Sequence, residues 1–195
     1  MDRLWAPWRA QYIREASSSP EVEAGPEPAT ACFFCQGLAS PVSKDRSNLL
    51  AARCSKSVVV LNRFPYNNGH VLVAPRVHLG TLGELSGGDL IEPLETVKRV
   101  IGVLDHILRP HAYNVGLNQG RAAGAGLPGH LHWHIVPRWD GDTNFMPILG
   151  QAKVIVESLD EFYDRLVTGL RDAGVGGSVD EAMVTLGGMD AGSRT

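Results

Sequence analysis

Cysteine is scarce in this chain. Cys32, Cys35 and Cys54 are the only three in 195 residues, too few for the disulfide framework of a small secreted domain. Long apolar runs are missing too: none approaches the roughly 18 to 20 residues that cross a bilayer. The first residues also lack a basic segment followed by an apolar stretch and a small-residue cleavage site. A cytoplasmic location without a membrane partner is the expectation. Nor is positive charge in excess, because 18 Lys and Arg face 21 Asp and Glu for a net charge of -3. That balance argues against a protein that grips nucleic acid mainly by neutralising phosphates. What is present is apolar material, 44% of residues against 20% charged, over a length that suits one domain with a buried core.

Residues 1–31 read as an aromatic helix followed by a flexible linker. Trp5, Trp8 and Tyr12 fall at helical spacing on one stripe, which suits packing on a surface. Ser, Pro, Glu, Gly and Ala then dominate, with too little apolar area to offset the entropy of ordering. After residue 171, Gly174, Gly176, Gly177, Gly187, Gly188 and Gly192 interrupt any helix, so residues 172–195 read as a loose tail. The functional body is residues 32–171.

Inside it, residues 57–62 and 70–74 are β-branched and aliphatic runs joined by the turn formers of 63–69, the pattern of two antiparallel strands. Leu94, Val97, Ile101, Leu104 and Leu108 mark one amphipathic helix closed by Pro110. Residues 113–118 and 130–136 give two more strands around a glycine-rich stretch, and 153–156 is read as a further one. Ser158 and Glu161 form a capping box that opens a second helix through Leu170. This order favours an α+β fold over a parallel α/β one.

The segment His130-Leu131-His132-Trp133-His134-Ile135-Val136 alternates with a period of two, which sends three imidazoles to one face and three apolar side chains to the other. Along a strand the outer pair stands about 13 to 14 Å apart, so one ion cannot take all three. Two of them with a distant ligand remain a candidate catalytic metal site. An edge strand with polar residues outward is the plainer alternative, but three of seven histidines within five positions favours function. A neutral imidazole attacks electrophiles, flanking imidazoles donate hydrogen bonds to developing charge, and a phosphorus centre suits this chemistry. Gly120, Gly124, Gly126 and Gly129 would let backbone N–H groups approach phosphate oxygens. Separately, Cys32-Phe33-Phe34-Cys35 has the spacing of half a zinc site. Buried small hydrophobes and a redox pair are the other readings, the latter weakened because no thioredoxin-like pattern surrounds it.

These residues resemble the histidine triad superfamily, whose signature is His-x-His-x-His followed by two apolar residues. The similarity extends through 62–75, 114–120 and 137–146 and the Leu4-Trp5-Ala6-Pro7-Trp8-Arg9 segment, towards the bacterial branch of diadenosine tetraphosphate phosphorylases and related hydrolases. The resemblance implies a five-stranded antiparallel sheet with one long and one or two shorter helices, extended by homodimerisation. It implies dinucleoside polyphosphates or other adenine nucleotides as partners and attack on an α-phosphate by His132. His134, His130 and His70 would complete the catalytic cluster, and Asn62 would contact ribose. Asn118, Gln119 and Gly126 would lie against the substrate. Where diadenosine triphosphate hydrolases place a Gln four residues before the triad, this chain has Gly126. Leaving-group handling would then fall to backbone N–H groups, Asn118 or a divalent cation bound with the polyphosphate. The resemblance also implies a structural zinc on Cys32, Cys35, His78 and His130. Phosphate is the favoured acceptor, giving ADP plus ATP. A hydrolase of dinucleoside polyphosphates or nucleoside phosphoramidates and a non-catalytic nucleotide-binding module are the alternatives.

Overall fold

A computed structural model describes residues 28–142 and 155–176. The aromatic stripe at Trp5, Trp8 and Tyr12, most of the linker and nearly all of the tail lie outside the described residues. So do Lys153 and Val154, while Ile155 and Val156 belong to no strand.

Five strands form one antiparallel sheet: β1 (Leu50–Arg53), β2 (Ser57–Leu61), β3 (Val71–Pro75), β4 (Ala112–Leu117) and β5 (Trp133–Arg138), in the order β1-β2-β3-β5-β4. Among the described residues the fifth strand is β1. Its four residues were too short to announce themselves, and only Leu50 and Ala52 alternate inward. Every residue of β2 and β3 is buried, as expected for central strands covered on both faces.

One face packs on helix α2 (Gly88–Leu108) and helix α3 (Leu159–Asp172), through Val59, Val71, Val73, Trp133 and Ile135 against Val97, Val100, Leu104, Phe162 and Leu166. The long helix starts six residues earlier than the Leu94 stripe suggests and runs through Pro93. Its buried stripe is Pro93, Thr96, Val97, Val100, Val103 and Leu104, so Val97 and Leu104 face inward as expected while Leu94 is exposed. Ser158 caps α3 by accepting from the Glu161 N–H, as the sequence predicts. Gly69 closes the β2–β3 turn with φ 74, and a Cβ there would collide with Leu108, so the turn and α2 approach each other only through glycine.

The other face is partly covered by a short helix that sequence periodicity did not reveal, α1 (Phe33–Ala39), with Phe34 packed over Val58, Val60, Leu72 and Ala74. Arg53 at the end of β1 fastens it. Its guanidinium donates to the Gly37, Leu38 and Ser40 carbonyls at the helix C-terminus and to both oxygens of Asp45, with both side chains 16% exposed. Carbonyls at a helix end have no N–H of a following turn to satisfy them; here Gly37 also accepts from the Ser40 N–H, and Arg53 supplies the rest. Arg53→Met strands Asp45 and the Leu38 and Ser40 carbonyls and should lower unfolding stability by about 2–4 kcal/mol in urea titrations. A loss below about 0.5 kcal/mol would assign Arg53 to the surface class of ion pairs.

Candidate functional site

The triad segment enters its strand late: β5 begins at Trp133, and His130-Leu131-His132 precede it. Facing is nevertheless as the alternation predicts. Leu131, Trp133 and Ile135 join the core beneath α2, while His130 and His132 contact Phe34 on the opposite side at ring-centroid distances of 5.0 and 5.3 Å. His132 and His134 are adjacent, 4.9 Å between centroids.

Hydrogen-bond partners assign the tautomers. His132 Nδ1 lies 2.8 Å from the His130 carbonyl, which only accepts, so Nδ1 carries the proton and Nε2 keeps its lone pair. His70 Nδ1 accepts from the Tyr66 N–H at 3.0 Å, so its Nε2–H donates to His134 Nδ1 at 2.9 Å. His134 in turn carries its proton on Nε2, a donor beside the lone pair on His132 Nε2. Asn62 reinforces this order: its Oδ1 accepts from the Phe64 N–H, which leaves Nδ2 to donate to His70 Nδ1 at 3.1 Å. Burial holds His132, 6% exposed, below the ordinary imidazole range. Burial, then the His132 neighbour, pushes His134 down to about 4. Both rings are neutral at pH 7.

His130 departs from a phosphate-facing role. It is fully buried, its Nε2–H donates to the Pro75 carbonyl at 2.8 Å, and its Nδ1 meets Cys32 Sγ at 3.2 Å and Cys35 Sγ at 3.6 Å. What it gives His132 is its backbone carbonyl. His78 Nδ1 approaches Cys35 Sγ at 3.4 Å, and the four ligand atoms of Cys32, Cys35, His78 and His130 lie within 4.8 Å of one another. Three of these separations, 3.2, 3.4 and 3.6 Å, are close to the edges of a zinc tetrahedron with about 2.0–2.3 Å bonds, and two Cys with two His is a zinc donor set. The Pro75 carbonyl fixes the His130 tautomer that leaves Nδ1 free to ligate. The Cys35 thiol is pushed up to about 11 by burial and by neighbouring Cys32, so a pair of thiolates there calls for a cation between them.

Two cavities of similar size flank the histidines. One, about 360 Å³, is lined by Phe33, Asn48, Leu49, Val60, Asn62 and Leu72. The other, about 390 Å³, lies over β4 and β5 beside Tyr66, Asn114, Gly116, Asn118 and His134. Asn62 and Asn118 thus fall at opposite ends of one surface. Gln119 turns away, its Oε1 accepting from the Leu82 N–H. Gly126 has open space around the direction a side chain would take. Sequence reasoning missed Phe34, which buttresses two triad rings, and the Tyr66 N–H, which sets the His70 tautomer. A backbone donor leaves no residue-type signal.

Among known proteins, the HIT domain family matches residues 48–141. The chain is 38% identical over 168 residues to the AP-4-A phosphorylase of Mycobacterium tuberculosis strain H37Rv, covering 86% of this chain and 84% of that protein. A zinc-bound histidine triad family protein from Mycobacterium smegmatis shares the fold with a TM-score of 0.58, at 21% identity over 80% of this chain and 99% of that one. A hypothetical histidine triad nucleotide-binding protein from Sulfolobus tokodaii matches with a TM-score of 0.54 at 26% identity, over 83% of this chain and 100% of that one. With the three histidines and their supporting hydrogen bonds assembled on one sheet, this chain belongs to the histidine triad family of enzymes.

Proposed function

We propose that this enzyme cleaves dinucleoside polyphosphates, diadenosine tetraphosphate the expected substrate, at an α-phosphate through a nucleotidyl-His132 intermediate, with inorganic phosphate as acceptor. The observation that carries the reading is the tether of His132 Nδ1 to the His130 carbonyl, which leaves Nε2 unprotonated beside the Nε2–H of His134. Attack by His132 Nε2 forms a P–N bond and releases the nucleoside triphosphate with the electrons of the bridging oxygen. A phosphate oxygen then attacks the same phosphorus, the P–N bond breaks, and His132 recovers its lone pair. One difficult displacement becomes two easier ones.

The His134 N–H, held by the relay from Tyr66 through His70, donates to a phosphoryl oxygen as charge moves onto it. Asn62 and the cavity between α1 and the sheet hold the nucleoside. Phosphorolysis rather than hydrolysis is supported by the similarity to a named phosphorylase, while Gly126 lacks the side chain that the resembled hydrolases place at the scissile phosphate. The Cys32, Cys35, His78 and His130 quartet would hold a structural zinc, whose closed ligand set fixes geometry rather than taking part in chemistry. The expected assembly is a homodimer extending the sheet, and β4 is an exposed edge strand that offers the unpaired backbone for it.

Product analysis with and without phosphate tests the reaction. ADP plus ATP formed only when phosphate is supplied supports it. AMP plus ATP at a phosphate-independent rate reassigns the enzyme to hydrolysis, and no turnover of either kind reduces it to a nucleotide-binding module.

A further inference from the structure

The register of the sheet lays out a row of side chains across the catalytic face. Val60 pairs with Leu72, Leu72 with His134, and His134 with Gly116, so these four positions point the same way on adjacent strands. At about 4.8 Å per strand the row spans about 14 Å. Val60 and Leu72 floor the Asn62 cavity. His134 stands in the middle. The row ends on the edge strand at a residue without a side chain, and there the second cavity opens.

We infer that this groove over β4 and β5 binds the departing half of the substrate, a nucleoside polyphosphate chain, and afterwards the incoming acceptor. The assignment deepens the nucleotidyl-histidine reading and rests on it. Displacement at phosphorus puts the leaving group opposite His132, and an acceptor that reopens the P–N bond must arrive from the side the leaving group vacated. With the first nucleoside seated over β2 and β3, the chain beyond the α-phosphate passes His134 and runs towards β4.

The walls suit that occupant. Arg138 donates to Asn114 Oδ1 at 2.8 Å, so the atom Asn114 has to offer the groove is Nδ2, a donor suited to phosphate or ribose oxygens. Tyr66 lies parallel to the His134 ring, 5.8 Å between centroids at 11°, and is 53% exposed, an aromatic surface beside the phosphate path. Gly116 has no positive φ, and a Cβ built on it meets nothing within 4 Å. Glycine is thus required there neither by the backbone nor by packing within the chain. What its missing side chain keeps clear is the groove.

Gly116→Ala and Gly116→Val test the assignment, since a β-branched residue suits a strand and finds room in this one. Two donors are compared at one phosphate concentration: diadenosine tetraphosphate, whose leaving group is a nucleoside triphosphate, and adenosine 5'-phosphoramidate, whose leaving group is ammonia. The ratio of their kcat/KM values should fall about tenfold or more in the valine variant and by less in the alanine variant. A ratio within about twofold of wild type overturns the assignment, including the case where both rates drop together. A shift in oligomeric state by sedimentation with that ratio preserved also overturns it, giving the groove to a subunit contact. Wild-type protein inactive on both donors refutes the nucleotidyl-histidine reading itself, and the groove assignment with it.

Discussion

Replacing His132 by alanine should lower turnover of diadenosine tetraphosphate by about four orders of magnitude while leaving nucleotide binding within about threefold. No neighbouring ring can stand in. His130 has its nitrogens committed to Pro75 and the cysteines, His70 spends Nε2–H on His134, and His134 presents a proton instead of a lone pair. The variant is expected to remove the proposed nucleophile and spare binding, because the cavity proposed for the nucleoside is lined by residues of α1, β2, β3 and the turn after β2, with His132 not among them. Wild-type enzyme incubated with substrate labelled at the α-phosphate and quenched in alkaline detergent should carry protein-bound label that is lost on later treatment with acid, and the variant should carry none. Calorimetry with AMP supplies the binding readout. Equal turnover by wild type and variant would remove the covalent intermediate from consideration.

The protonation state favours the same residue. Burial lowers the His132 pKa from its ordinary value, so the neutral, nucleophilic form persists to more acid pH than a free imidazole would allow. His134 is held down to about 4 by the same cause and by His132 beside it. Two rings 4.9 Å apart cannot both charge cheaply, so both stay neutral and the His132 Nε2 lone pair stays available.

Much of this was legible in residue order because period-two alternation is a rigid geometrical statement. Whatever the strand boundary, Leu131, Trp133 and Ile135 must oppose His130, His132 and His134, and they do, although the first three residues lie outside the strand. The Ser158 cap was legible for a similar reason, since a hydroxyl three residues before a carboxylate satisfies a helix start locally. Features that depend on long-range partners left no trace. Arg53 looks like any strand-end arginine until α1 is folded against it, and Leu50–Arg53 is too short to show a period. The long helix misled by one step: Leu94 is as apolar as Val97, but the sheet meets the Pro93–Thr96–Val100 side. His130 was caught between two roles that a strand pattern cannot separate. Only the fold shows its ring turned to Cys32 and its carbonyl turned to His132.

That division of labour makes loss of the cysteine pair the second large effect. Purified protein should contain about one zinc per chain, and Cys32→Ser should lose it and lower the unfolding midpoint by about 10 °C or more. Cys32 is fully buried at the start of α1, His78 follows β3, and His130 precedes β5, so the quartet ties three separate segments together. Without the fourth ligand, Cys35 and two imidazoles face one another in a dry pocket where charge is disfavoured, and nothing holds α1 at that point. Phe34 then loosens from the His130 and His132 rings, and the carbonyl that orients His132 Nδ1 loses its fixed position. Activity should therefore fall with zinc content even though the His132 side chain is retained. Partial restoration on adding zinc to the Cys35→His variant, but not to Cys32→Ser, would separate metal loss from a packing defect. Native protein without metal by elemental analysis, together with a Cys32→Ser midpoint equal to wild type, would leave the quartet as four hydrogen-bonded side chains and leave the Pro75 contact to hold His130, whose carbonyl orients His132.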